Sequence, residues 1–221
     1  METSLPANSN IVSFSKPMQA GAQLVSYLAH PAFIPVLVSA IILFLHPVNV
    51  LLLPFELRIR IMAMVFLNTF LFPTLIVFLL WRLGFIKNMY LENQKERIIP
   101  LVGSIIFYFW AYYVGRNIEY IPHALQQWLM GVFLCSCAAM FINIFRKISL
   151  HTIGIGGFVA FCVWQQATDL HWNSGWLMLG LLLAGLVGTA RLIRGAHEPA
   201  EVYGGFLAGA ICQIAASLIM G

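Results

Sequence analysis

The chain has 221 residues, of which 61% are hydrophobic and only 9% charged. Soluble domains carry about one-quarter charged residues, so a soluble enzyme core is excluded, and an all-α, polytopic transmembrane bundle without a separate soluble module is expected. The formal charge of +4 is modest and no basic helix is interleaved with exposed aromatics, which argues against a nucleic-acid surface and leaves membrane lipids as partners.

Residues 1–22 are polar and mixed. They lack the basic start, short apolar run and small-residue cleavage site of a secretory signal, and are expected to form an amino-terminal tail. Residues 23–221 then form a single transmembrane domain. Taking about 20 residues per crossing, apolar runs divided by Pro, Gly and charges predict about seven helices, six being possible. The first spans Gln23 to His46, bent by Pro31 and Pro35, and the second Ile59 to Leu83, containing Pro73. The third covers Ile98 to Gly115, the fourth His123 to Phe145, and the fifth Ser149 to Asp169. The sixth runs from Trp176 to Leu192 and the seventh from Pro199 to Met220.

Seven crossings put three connections on one face: residues 82–97, the Arg146-Lys147 turn, and the turn from Arg191 to Glu201. Of the 12 Lys and Arg, only Arg58, Arg60 and Arg116 fall on the other face. The positive-inside rule places the basic face in the cytoplasm. If six of those cations serve an anion instead, the two faces balance and the rule decides nothing. Gly180, Ala184 and Gly188 on the sixth helix, with Gly205 and Gly209 on the seventh, predict close packing of these two helices. Cys135, Cys137, Cys162 and Cys212 lie in apolar segments and read as buried free thiols. His30, His46, His123 and His171 sit at helix ends and read as interfacial anchors. Asn68 and Asn143 read as bonds between helices.

Three clusters can carry chemistry. Arg191, His197 and Glu201 share one short turn, where a guanidinium can grip phosphate through paired hydrogen bonds and a His held by a carboxylate can act as nucleophile or proton carrier. Glu201 has a plainer use as well, favouring the start of a helix. Ser149 and His151 open the fifth helix, with Ser149 as its expected N-cap and the free N–H groups aimed at an anion. Lys95 and Arg97 precede the third helix.

These clusters resemble the three motifs of the type-2 phosphatidic acid phosphatase family, which is related to vanadium haloperoxidases: K-x6-R-P, P-S-G-H and S-R-x5-H-x3-D. Arg191-x5-His197-x3-Glu201 is similar to the third, supported by Gly195, Ala196, Pro199, Val202 and Gly205. Ser149-x-His151-Thr152 is similar to the second, and Lys95, Arg97 and Pro100 loosely to the first. The resemblance covers about Lys95 to Gly209 and implies the helical core of such phosphatases. It implies that His197 attacks phosphorus, Glu201 orients and charge-balances it, and His151 protonates the leaving group. Arg191, Ser149, Lys95 and Arg97 would bind the phosphoryl oxygens, with no metal or other cofactor. A lipid phosphate would be the substrate, and a bacterial inner membrane with the site on its non-cytoplasmic face the setting. The chain departs from the pattern at Ile148 and Leu150 (family Pro and Gly), Ala190 (Ser), Glu201 (Asp) and Tyr90 (Lys).

Two other classes stay open. One is a catalytically inactive relative that binds or moves phospholipids through the basic pocket. The other is a transporter or metal-dependent hydrolase using His151, His197 and Glu201 as ligands.

Overall fold

The computed structural model describes residues 14–89, 91 and 93–221. Most of the expected tail, and Tyr90, lie outside these residues. The described end of the tail is already helical: α1 covers Lys16–Leu28, with Pro17 inside its first turn, where a missing N–H costs nothing.

A 62° break separates α1 from the next helical stretch, Phe33–Leu45. The expected first helix is therefore two pieces meeting near Pro31: α1, then α2 (Phe33–Ala40), which runs into a π turn over Ile41–Leu45. A short α3 (Pro47–Leu52) follows. Next, α4 (Phe55–Phe66), a π turn (Leu67–Leu71) and α5 (Phe72–Arg82) form one long rod. The π turn lies just ahead of Pro73 and accommodates a ring that would clash with an unbroken α-helix.

A single 3-10 turn (Lys95–Arg97) leads into α6 (Ile98–Arg116). α7 (His123–Phe145), α8 (Leu150–Thr168), α9 (Gly175–Ile193) and α10 (Pro199–Met220) complete the order. These last bounds agree closely with the sequence, because each helix is delimited by a Pro, a Gly or a charge.

Among the described residues five helices are long and apolar enough to cross a membrane, or six if the bent pair is one span. The outer surface exposes large apolar side chains such as Leu75, Ile106, Trp110, Phe141, Leu182 and Ile211, a surface suited to lipid rather than water. The expected fifth crossing, α8, is not among those spans. His151, three glycines, Gln165 and Gln166 dilute its apolar character. It sits in the middle of the bundle instead, with Ile155, Phe158, Phe161 and Gln165 all buried.

The glycine expectation needs correcting. α10 packs most extensively against α8 and only lightly against α9. A Cβ at Gly209 would strike the Ile153 carbonyl and the Gly157 amide of α8, and one at Gly205 would strike Thr152 Oγ1 and the Ser149 carbonyl. Gly156 of α8 meets the Phe206 backbone of α10 in the same way. Glycines on both helices bring the two backbones into contact, which a glycine row facing α9 alone would not achieve. Polar bonds tie both helices to α7 deeper down: Gln165 Nε2 of α8 donates to Gln127 Oε1 at 2.9 Å, and Gln213 Nε2 of α10 to the Gln127 carbonyl at 3.3 Å. Asn68, by contrast, bonds within its own helix, to the Met64 carbonyl.

Gly209→Ala forces these backbones apart. It is expected to destabilise the protein by about 1–3 kcal/mol, the usual cost of overpacking, seen as a lower unfolding temperature in detergent. Gly185→Ala, where a Cβ meets nothing within 4 Å, should leave that temperature unchanged.

Candidate active site

The clusters singled out in the sequence meet at one end of the bundle, largely because of how α8 and α10 start. The backbone N–H of Ser149 donates to the Glu201 carbonyl at 3.4 Å, so the N-terminus of α8 lies directly against the first turn of α10. Ser149 is the N-cap residue of α8 by position, but its side chain makes no capping bond. Its Oγ is fully buried and has no partner.

α9 ends in a left-handed turn. Gly195 adopts φ +59°, a conformation open to glycine at little cost, and its N–H donates to the Leu192 carbonyl at 3.0 Å. The chain reverses there and delivers His197 to the start of α10. Lys147 Nζ donates to the Ala196 carbonyl at 3.0 Å, pinning this turn to the connection before α8.

The central contact joins His197 Nδ1 to Glu201 Oε2 at 2.6 Å, four residues apart across the start of α10. The same Oε2 accepts the Glu198 N–H at 3.4 Å. Glu201 thus performs both functions read from the sequence: it satisfies a free amide at the helix start and it holds the imidazole. With Nδ1–H donating to the carboxylate, the lone pair of the neutral ring sits on Nε2. Burial lowers the His197 pKa to about 4 from 6.5, against the Glu201 hydrogen bond and with help from the Arg191 and Arg97 charges.

Arg97 is buried, its Nε donating to the Leu91 carbonyl at 2.7 Å and its Nη1 to the Ile148 carbonyl at 3.0 Å. Leu91 itself has φ +52°, a strained choice for a side chain of this size, and Arg97 holds its carbonyl in place. Gln94 and Asn143 each donate to the other's backbone carbonyl, which fastens the turn before α6 to the end of α7. Asn143 therefore does join separate elements, as expected.

A cavity of about 800 Å³ opens at this end. Among the described residues its lining includes Arg97, Lys147, His151, Arg191, Arg194 and His197, and no carboxylate. The Nε of Arg191 is buried and has no hydrogen-bond partner among the described residues. Lys95 is exposed and lies outside the lining, as does Ser149; Lys147 and Arg194 supply the cations that the sequence pattern assigned to the Lys95 position. Away from the charged mouth the cavity continues between α2, α5, α6 and α7. On α7 it extends from Ala139 to Trp128, about 16 Å along the axis. Trp128 Nε1 donates to the Pro35 carbonyl at 3.2 Å at the deep end.

Two residues at this end, Ser26 and His30, were not identified as site residues from the sequence. His151 Nε2 lies 3.1 Å from the Ser26 carbonyl; since a carbonyl only accepts, that nitrogen carries a proton. His30 is no simple interfacial anchor either: it lines the cavity with its ring 5.8 Å from that of His151, edge to face. Proximity to Pro31 at a helix break was the only signal for it. His46, also read as an anchor, is buried at the opposite end with Nε2 3.0 Å from Asp169 Oδ2. Among the described residues no three His, Cys, Asp or Glu are grouped to hold a metal ion.

No family model matches this chain, and no curated protein or solved structure does.

The depressed His197 pKa has a consequence for stability. The folded state binds this proton less readily than the unfolded chain, so the stabilisation is complete above about pH 6.5 and is lost as pH falls toward about 4. The unfolding temperature of the wild type should drop across that window more steeply than that of His197→Gln. Parallel curves would show that His197 does not titrate this way.

Proposed function

We propose that this protein is an integral membrane lipid phosphatase that hydrolyses a lipid phosphomonoester or diphosphate through a phospho-histidine on His197, without a metal. One observation carries the reading: a neutral histidine, held by a carboxylate at 2.6 Å, lines a cavity whose other charged residues, among those described, are all cations. Such a mouth attracts a phosphate and repels a metal ion. The pattern Arg191-x5-His197-x3-Glu201, resembling the third motif of the type-2 phosphatidic acid phosphatases, supports the same chemistry.

In the first step the Nε2 lone pair of His197 attacks phosphorus and the bond to the leaving oxygen breaks. The departing oxygen takes a proton from His151 Nδ1, which has first accepted it from the P–OH of the monoanionic substrate, while its Nε2–H stays with the Ser26 carbonyl. Glu201 balances the charge that develops on His197. Arg191 is the principal phosphoryl ligand, with an Nε still unpaired, and Arg97, Lys147 and Arg194 add positive potential. In the second step water attacks the phospho-histidine, its proton passes to His151 Nδ1, and orthophosphate leaves His197 free. Phosphoryl transfer of this kind depends chiefly on positioning and electrostatic stabilisation.

The shaft between α2, α5, α6 and α7 suits the apolar tail of the substrate, entering from the bilayer. In this reading α8 is a seventh crossing shielded from lipid, and the site faces the non-cytoplasmic side of a bacterial inner membrane. One observation favours a second reading, a catalytically inactive relative that binds phospholipid: two of Arg97's nitrogens are committed to the carbonyls of Leu91 and Ile148, leaving less of the guanidinium for a ligand.

The test is phosphate release in detergent from phosphatidic acid, phosphatidylglycerol phosphate and undecaprenyl diphosphate. Release should persist with a chelator and vanish in His197→Ala; Glu201→Gln should retain about one-hundredth of the rate or less. A folded wild type that binds a lipid phosphate yet never releases orthophosphate would establish the second reading. Within the shaft, Ser136→Phe should lower kcat/KM for long-chain substrates and spare a short-chain, water-soluble analogue; equal losses on both would rule out the shaft as the tail site.

A further inference from the structure

The motif-bearing part of the chain does not complete the site alone, because the break between α1 and α2 places two groups against it. The Ser26 carbonyl holds His151 Nε2. His30 stands edge-on to the His151 ring and lines the same cavity as Arg191. Its own orientation is set locally: the Ala32 N–H donates to His30 Nδ1 at 3.3 Å. A nitrogen that accepts an amide proton carries none itself, so the neutral ring has its hydrogen on Nε2. That N–H has no hydrogen-bond partner among the described residues. The Arg191 guanidinium is near enough for its charge to act on both His30 and His151.

We propose that His30 is a phosphate-binding residue of this site, donating its Nε2–H to an oxygen of the phosphoryl group or of the leaving group. The proposal rests on the phosphatase reading above and adds a donor from an element that the motif resemblance does not cover. No proton is transferred at His30: the ring stays neutral and polarises the oxygen by hydrogen bonding, as an oriented dipole does. His151 keeps the proton-transfer role, and the edge-on contact holds the two rings apart with different duties.

The test compares wild type with His30→Ala, His30→Gln and His30→Phe in detergent. Phosphate release is measured across substrate concentrations, and orthovanadate affinity by inhibition and by direct titration. Loss of a hydrogen bond to a charged oxygen should weaken orthovanadate binding and kcat/KM by about ten- to a hundredfold in His30→Ala. His30→Gln, which keeps an N–H donor of similar reach, should recover part of the loss, whereas His30→Phe, which keeps only the ring contact, should not. If His30→Phe matches wild type, or His30→Ala binds orthovanadate normally, His30 only packs and the proposal is overturned while the phosphatase reading stands. If the folded wild type neither releases phosphate nor binds orthovanadate, the phosphatase reading itself fails and takes the role of His30 with it. Unfolding temperatures identify any variant that has lost its fold, and the Gln and Phe variants carry the comparison if His30→Ala does.

Discussion

Backbone contact between α8 and α10 is the constraint on which the rest of this architecture depends. Two helices touch this closely only where side chains are absent, and Gly156, Gly205 and Gly209 supply those gaps. The contact fixes the start of α8 against the start of α10, so that Ser149 N–H reaches the Glu201 carbonyl. From there the geometry follows in sequence. Glu201 holds His197, the Gly195 turn feeds His197 into place, and Lys147 and Arg97 tie neighbouring loops to the same platform. The chemistry proposed at His197 needs this rigidity, because displacement by an ångström removes much of the gain from positioning.

Electrostatics then separates what the scaffold holds from what it leaves available. Several cations converge on a cavity with no carboxylate among the described residues of its lining, and part of their hydrogen-bonding capacity is spent on carbonyls of adjacent loops. Arg97 exemplifies the structural share and Arg191 the available share. Glu201, just behind His197, moderates the positive field without closing off the cavity, since its Oε2 is already engaged by a ring N–H and a backbone N–H.

Much of this was legible in the sequence, and what was not has physical causes. The bounds of α7 and α10 could be read from Pro122, Pro199 and the charges beside them. The pairing of His197 with Glu201 followed from their spacing of four, and Arg191 was grouped with them because all three share one short turn. Helix partners were not legible: small residues announce that a backbone comes close without saying which backbone, and the glycines of α10 turned toward α8. The π turns at 41–45 and 67–71 leave no composition signal. The bonds from Arg97 to the Leu91 and Ile148 carbonyls were not legible either, because hydrogen bonds to main-chain carbonyls have no sequence signature. His30 read as an anchor because its significance depends on a bend whose direction Pro31 does not specify. Lys95 had the right residue type in the right region but points away from the cavity.

The central position of α8 bears on how such a protein is made. A helix diluted by glycine, glutamine and histidine gains little from hydrocarbon and much from neighbouring helices. During synthesis it emerges before α9 and α10, the helices that cover it. Its residence in the bilayer is therefore provisional until α10 arrives and its glycines close on Ile153 and Gly157. Assembly of the end that holds His197 and closure of α8 into the bundle are then one event, and a chain interrupted ahead of α10 lacks both at once.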